Sequence, residues 1–119
     1  MDSPTLLKLA CILFVVAALG GLTMAYIRFS GERNPPNGFV LGHGLLGATG
    51  LVILLYLQFT VGLQGNTLLA LGLLLAAAAG GGAMNFMFHR KGALIPKGFV
   101  LGHAAIAAAG LVMLCMAVF

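Results

Sequence analysis

The chain has 119 residues, of which 61% are hydrophobic and 7% charged, with a formal net charge of +4. A soluble domain keeps about a quarter of its residues charged, so two acids and six bases exclude a water-exposed globule and make the lipid bilayer the expected solvent. Nucleic-acid binding is excluded too, because it needs a basic face on a soluble surface.

The first predicted element runs from Thr5 to Ile27, long enough to cross a bilayer, which takes about 20 apolar residues. It follows a short start marked by Asp2 and Lys8 and carries Cys11, Gly20, Gly21 and Met24. A short basic start before an apolar run resembles a secretory leader. Its membership of an internal repeat instead predicts a permanent helix. A connection with Arg28, Glu32, Arg33 and Pro36 follows.

The second element, Phe39 to Val61, begins just after Pro36-Asn37-Gly38 and carries His43, Gly47 and Gly50. The next connection, Gly62 to Asn66, has no charge. The third element is Thr67 to Phe88, with Gly80-Gly81-Gly82 and Met84. His89, Arg90, Lys91 and Lys97 follow, and Phe99 to Phe119 forms the fourth element, with His103, Ala107, Gly110 and Cys115. All four segments are apolar on every face, as helices in lipid are, and they lack the alternation of a membrane β-barrel. The expected fold is an all-α integral membrane four-helix bundle, a single membrane domain over residues 1–119.

Pro36-Asn37-Gly38-Phe39-Val40-Leu41-Gly42-His43 recurs as Pro96-Lys97-Gly98-Phe99-Val100-Leu101-Gly102-His103, an offset of 60 residues. At that offset Gly50-Leu51-Val52 matches Gly110-Leu111-Val112, Gly20-Gly21 matches Gly80-Gly81, and Met24 matches Met84. Residues 1–60 and 61–119 therefore read as tandem copies of one helical hairpin. Each copy crosses the membrane twice, so the copies share one sense and a pseudo-two-fold axis along the membrane normal. Equivalent residues then sit at equal depth, His43 with His103 and Met24 with Met84. The basic first and third connections predict a cytoplasmic location for those loops, with both termini outside. A bacterial-type inner membrane is the expected setting.

Ionisable residues inside a span are costly and by default mark a functional site. One reading makes His43 and His103 the axial ligands of one b-type haem held between facing helices. Gly47 and Gly50 after His43, and Ala107 and Gly110 after His103, would leave room for the macrocycle. Arg28, Arg33, Arg90 and Lys97 would meet its propionates. Two imidazoles point to electron transfer rather than oxygen chemistry. The arrangement resembles membrane b-type cytochromes, in which histidines on alternate helices clamp a haem; the likeness is architectural, and it implies a quinone or protein partner to complete the electron path. A second reading takes His43, His103, Met24 and Met84 as ligands of copper, which imidazole with thioether favours. In the third the histidines are structural, hydrogen-bonded to backbone carbonyls, and the chain is a cofactor-free accessory subunit.

The small multidrug-resistance transporters are similar in size and helix number. They depend on a glutamate in the first helix, and no acid lies in any of these four segments, so a small transporter stands as a further alternative only through a histidine-based proton relay. No hydrolase or nucleotide-binding motif is present, so no independent catalytic activity is expected. Cys11 and Cys115 both fall in the outer half of the membrane under this topology, so a disulfide between them is geometrically conceivable; without CxxC spacing or repeat equivalence, packing is the preferred reading. His89 has Phe29 as its repeat counterpart and reads as interfacial. Gly38-x-x-x-Gly42 and Gly98-x-x-x-Gly102 predict close helix approach. The surrounding partners are the lipid bilayer and either further copies of the chain or a larger membrane complex.

Overall fold

A computed structural model of the protein describes residues 1–119 throughout. It contains four long helices and no strand: α1 (Ser3–Phe29), α2 (Asn37–Thr60), α3 (Gly65–Met87) and α4 (Lys97–Val118). Each predicted segment becomes one helix, with its ends shifted by no more than two residues. A short 3-10 turn at His89–Lys91 extends the end of α3 and had no counterpart in the sequence pattern.

Local chemistry sets the helix ends. Asp2 caps α1, its Oδ1 accepting a hydrogen bond from the Thr5 N–H at 2.9 Å. Hydrogen bonding to Thr5, through its side chain first and its backbone N–H second, holds the Asp2 carboxyl below its ordinary pKa. Pro36 and Pro96 immediately precede α2 and α4, where a ring without an N–H interrupts no helical ladder. Gly62, Gly65 and Gly92 adopt positive φ at the turns, a region that costs glycine little.

The bundle measures 44 × 22 × 22 Å, and all four helices are long and apolar enough to cross a membrane. Only 17 of 119 residues are buried, so most apolar side chains, including Leu19, Leu22, Leu41, Val52 and Leu69, face outward. That pattern fits lipid contact. Tyr26, Phe29 and Phe86 are exposed near the loop end, and Tyr56, Phe59 and Phe119 near the opposite end, as in the aromatic belts of membrane proteins. Going round the bundle, α1 packs on α2 and α4, and α3 packs on α4 and α2. The pairs α1/α3 and α2/α4 are diagonal.

The two halves of the bundle are packed differently. The core cluster of Ala10, Cys11, Phe14, Leu54, Leu57, Leu63, Ala70, Leu71, Leu74 and Leu114 occupies the end holding both termini. There Cys11 and Cys115 are joined in a disulfide across α1 and α4, with Cα atoms 6.0 Å apart. This corrects their assignment as packing thiols. The two residues are not repeat equivalents and meet only because the first and last helices are neighbours.

The glycines also depart from expectation. A Cβ at Gly38, Gly42, Gly98 or Gly102 would meet nothing within 4 Å, so these pairs do not bring helices together within the chain. Close approach occurs instead at Gly50 and Gly110. A Cβ at Gly50 would come within 2.8 Å of the Phe14 ring, and one at Gly110 within 2.9 Å of Leu74 Cγ.

At the other end the two basic connections are laced together. Arg28 is buried; its Nε donates to the Ile95 carbonyl at 2.8 Å and its guanidinium also to Gly31 O at 3.3 Å. Asn34 reads the same strand of backbone, with Nδ2 donating to Ala93 O at 2.6 Å and Oδ1 accepting from Ile95 N at 3.0 Å. His89 Nε2 pairs with Pro35 O at 2.8 Å. His89 is thus a loop-to-loop tie within the interfacial region. These bonds satisfy backbone groups that neither helix can reach.

Candidate functional site: the paired histidines

His43 on α2 and His103 on α4 meet inside the bundle, their ring centres 6.1 Å apart and their planes at 74°. They come from diagonal helices, and each lies against the other hairpin partner. His43 Nδ1 pairs with Ala17 O of α1 at 2.7 Å, and His103 Nδ1 with Ala77 O of α3 at 2.8 Å. A carbonyl can only accept, so both Nδ1 atoms carry the proton. In a neutral imidazole that leaves the Nε2 lone pair free to bind a ligand.

Glycine makes the close approach possible. A Cβ at Gly21 would lie 3.1 Å from His43 Cε1, and one at Gly81 would lie 3.1 Å from His103 Cε1. Such distances leave no slack for a methyl group. Gly21 and Gly81 were visible in the sequence as repeat matches, yet nothing in the one-dimensional pattern linked them to the histidines.

Ala17, Gly20, Gly21 and Met24 follow the spacing of one inward face of α1, and Ala77, Gly80, Gly81 and Met84 do so on α3. The methionines are half-buried and stand one turn, about 5 Å, nearer the basic loops than the glycines beside the imidazoles. Where the disulfide end has interlocked leucines, the histidine level has mainly glycine and alanine. Outside His103, a groove of about 510 Å³ between α3 and α4 is lined by Ala76, Gly80, Gly102, His103 and Ile106, among others.

The remaining candidate residues separate into those near the histidines and those committed elsewhere. A Cβ at Gly47 meets nothing within 4 Å, so this glycine leaves open space one turn from His43, and Ala107 is half-buried at the equivalent position. Phe14 and Leu74 fill the space next to Gly50 and Gly110. Arg28 is occupied by the loop carbonyls. Arg90 lies over the Phe86 ring at 5.1 Å and Lys97 over Phe29 at 5.6 Å, and Arg33 is exposed. No group of three or more histidine, cysteine or acidic side chains forms a metal cluster. The donor set is therefore the imidazole pair, with the methionines as the nearest soft ligands. Comparison with protein-family models, with curated proteins and with solved structures gives no match.

Proposed function

We propose that this protein is a small membrane cytochrome, an electron carrier that holds one b-type haem between His43 and His103. The observation that carries the reading is the imidazole pair itself, with ring centres 6.1 Å apart and both Nδ1 atoms tied to backbone carbonyls. A metal–imidazole bond is about 2.0–2.1 Å long, so two imidazoles placed opposite each other across one metal have ring centres about 6 Å apart. Ligating histidines also usually donate the other ring N–H to a carbonyl or carboxylate, which fixes tautomer and orientation.

His43 on α2 and His103 on α4 would hold the macrocycle, with α1 and α3 beside it. Gly21 and Gly81 admit the imidazoles themselves, Ala17, Gly20, Ala77 and Gly80 stand beside them in place of larger side chains, and Gly47 leaves space on α2. The haem supplies reversible one-electron chemistry. The chain's own contribution is to orient two neutral imidazoles, keep bulk water out with apolar helices, and place Arg33 and Lys97 at the loop end, where they would meet the propionates; Arg90 stands over Phe86 instead.

In this proposal the chain consists of two tandem hairpins related by a pseudo-two-fold axis. Support comes from contacts that recur at the same offset: His43–Ala17 with His103–Ala77, His43–Gly21 with His103–Gly81, and Phe14–Gly50 with Leu74–Gly110. The basic loops face the cytoplasm of a bacterial-type cell and the termini lie outside. The disulfide favours that orientation, because such bonds persist on the oxidising side of a membrane. Further copies of the chain, a quinone or a redox protein would complete the electron path.

A Cu(I) site on His43, His103, Met24 and Met84 is the second reading, favoured by the methionines standing on α1 and α3 one turn from Gly21 and Gly81, the glycines that contact the imidazoles. Haem content of the purified His43→Ala and His103→Ala variants distinguishes the two readings. Loss of haem from both is expected. Full haem content in both variants would end the cytochrome assignment, and copper bound in place of haem would transfer the pair to the second reading.

A further inference from the structure

Asn37, Asn85 and Arg90 line one cleft of about 420 Å³ at the loop end of the bundle, between the start of α2 and the end of α3. Gly38, Val40 and Leu41 complete its walls. None of the three polar side chains takes part in a hydrogen bond within the chain. Arg90 rests one face of its guanidinium on Phe86, which leaves its N–H edge donors available. The start of α2 has no side-chain cap, so its first backbone N–H groups add positive potential on the same side.

The repeat shows that this corner is not simply inherited packing. In the first hairpin the counterpart of Asn85 is Ala25, and that of Arg90 is Ser30. Asn85 lies within α3, where a polar side chain is costly and calls for a reason, and its counterpart in the other hairpin is apolar; Arg90, exposed in the turn that follows, supplies the charge. We infer that the cleft binds the phosphate headgroup of one anionic phospholipid from the leaflet facing the basic loops. Basic pockets between membrane helices take such headgroups. Leu41 on the cleft wall is 63% exposed, which gives the acyl chains an apolar surface continuous with the headgroup site. The connections at this end carry Arg33, Arg90, Lys91 and Lys97 against the single acid Glu32, favouring an anionic over a zwitterionic lipid.

The test is native mass spectrometry of the full chain in mild detergent, with phosphatidylglycerol or phosphatidylcholine added. Selective retention of one phosphatidylglycerol is expected. The double variant N85A/R90S restores the residues of the first hairpin, so it should fold, as circular dichroism would verify. It should retain the lipid about five- to tenfold less well, while Lys91→Ala has little effect. Equal retention of the two lipids, unchanged retention in the double variant, or an equal loss in Lys91→Ala would overturn the inference. Displacement by excess inorganic phosphate would assign the cleft to a free anion instead. The haem content of the same samples is read separately: a fall in haem with unchanged lipid retention would give the cleft to a propionate and refute the lipid site.

Discussion

Adding one methyl group to α4 should have opposite effects at two glycines eight residues apart. At Gly110 an added Cβ would stand 2.9 Å from Leu74 Cγ, 3.1 Å from Leu73 Cβ and 3.2 Å from Leu74 Cδ2. Leu73 Cβ is fixed by its backbone, and Leu74 is buried in the core cluster, so relief requires α3 and α4 to separate by a few tenths of an ångström. Overpacking of this kind costs about 1–3 kcal/mol. Replacing glycine by alanine in a helix returns about 0.5–1 kcal/mol, leaving Gly110→Ala destabilised by up to about 2.5 kcal/mol. At Gly102 the new methyl meets nothing within 4 Å, and only the helix gain remains. Gly50→Ala should be destabilised as well, because its added Cβ would stand 2.8 Å from Phe14 Cε2 and Cζ, Cζ lies on the axis about which the ring turns, and Phe14 is itself part of the core cluster. Thermal unfolding in detergent, followed by circular dichroism, should place the midpoint of Gly102→Ala above the parent and those of Gly50→Ala and Gly110→Ala below it. A Gly110→Ala midpoint at or above that of the parent would refute the packing argument.

Gly21→Ala and Gly81→Ala should push the imidazoles off their carbonyl acceptors and weaken cofactor binding about tenfold, the low end for losing a group that orients a ligand; titration of the apoprotein with haem measures this. Reducing the disulfide, or replacing Cys11 by Ser, should lower the unfolding midpoint. With the cysteines 104 residues apart, loop entropy sets an upper limit of about 4.7 kcal/mol, and helices that stay inserted when separated will keep the loss well below it. Arg28→Ala leaves the Ile95 carbonyl without its buried donor and should cost about 1–3 kcal/mol in the same melt. An unchanged midpoint would show that the loops are not tied through this residue.

The fold was legible where lipid chemistry leaves few alternatives. Four long apolar runs and two prolines before α2 and α4 placed the helices to within two residues. The shared offset put His43 and His103 at one depth, and the structure brings their rings together. What escaped was whatever depends on how one helix is rotated against another. Nothing local to Cys11 or Cys115 indicates that α1 and α4 are neighbours, so the sequence allowed their bond by depth but left the pairing open. The same holds for the glycines: Gly42 and Gly102 have the spacing of a helix contact but face outward, whereas Gly21 and Gly81 receive the imidazoles. Arg28 reads as a loop cation and is in fact buried, because Ile95, far along the chain, supplies its acceptor.

The most direct test of the account is a dithionite-reduced minus oxidised visible spectrum of the protein purified in mild detergent. The paired imidazoles predict a sharp Soret band and a narrow α band, the signature of a six-coordinate b-type haem. A flat difference spectrum from fully folded protein supplied with haem would contradict the cytochrome assignment.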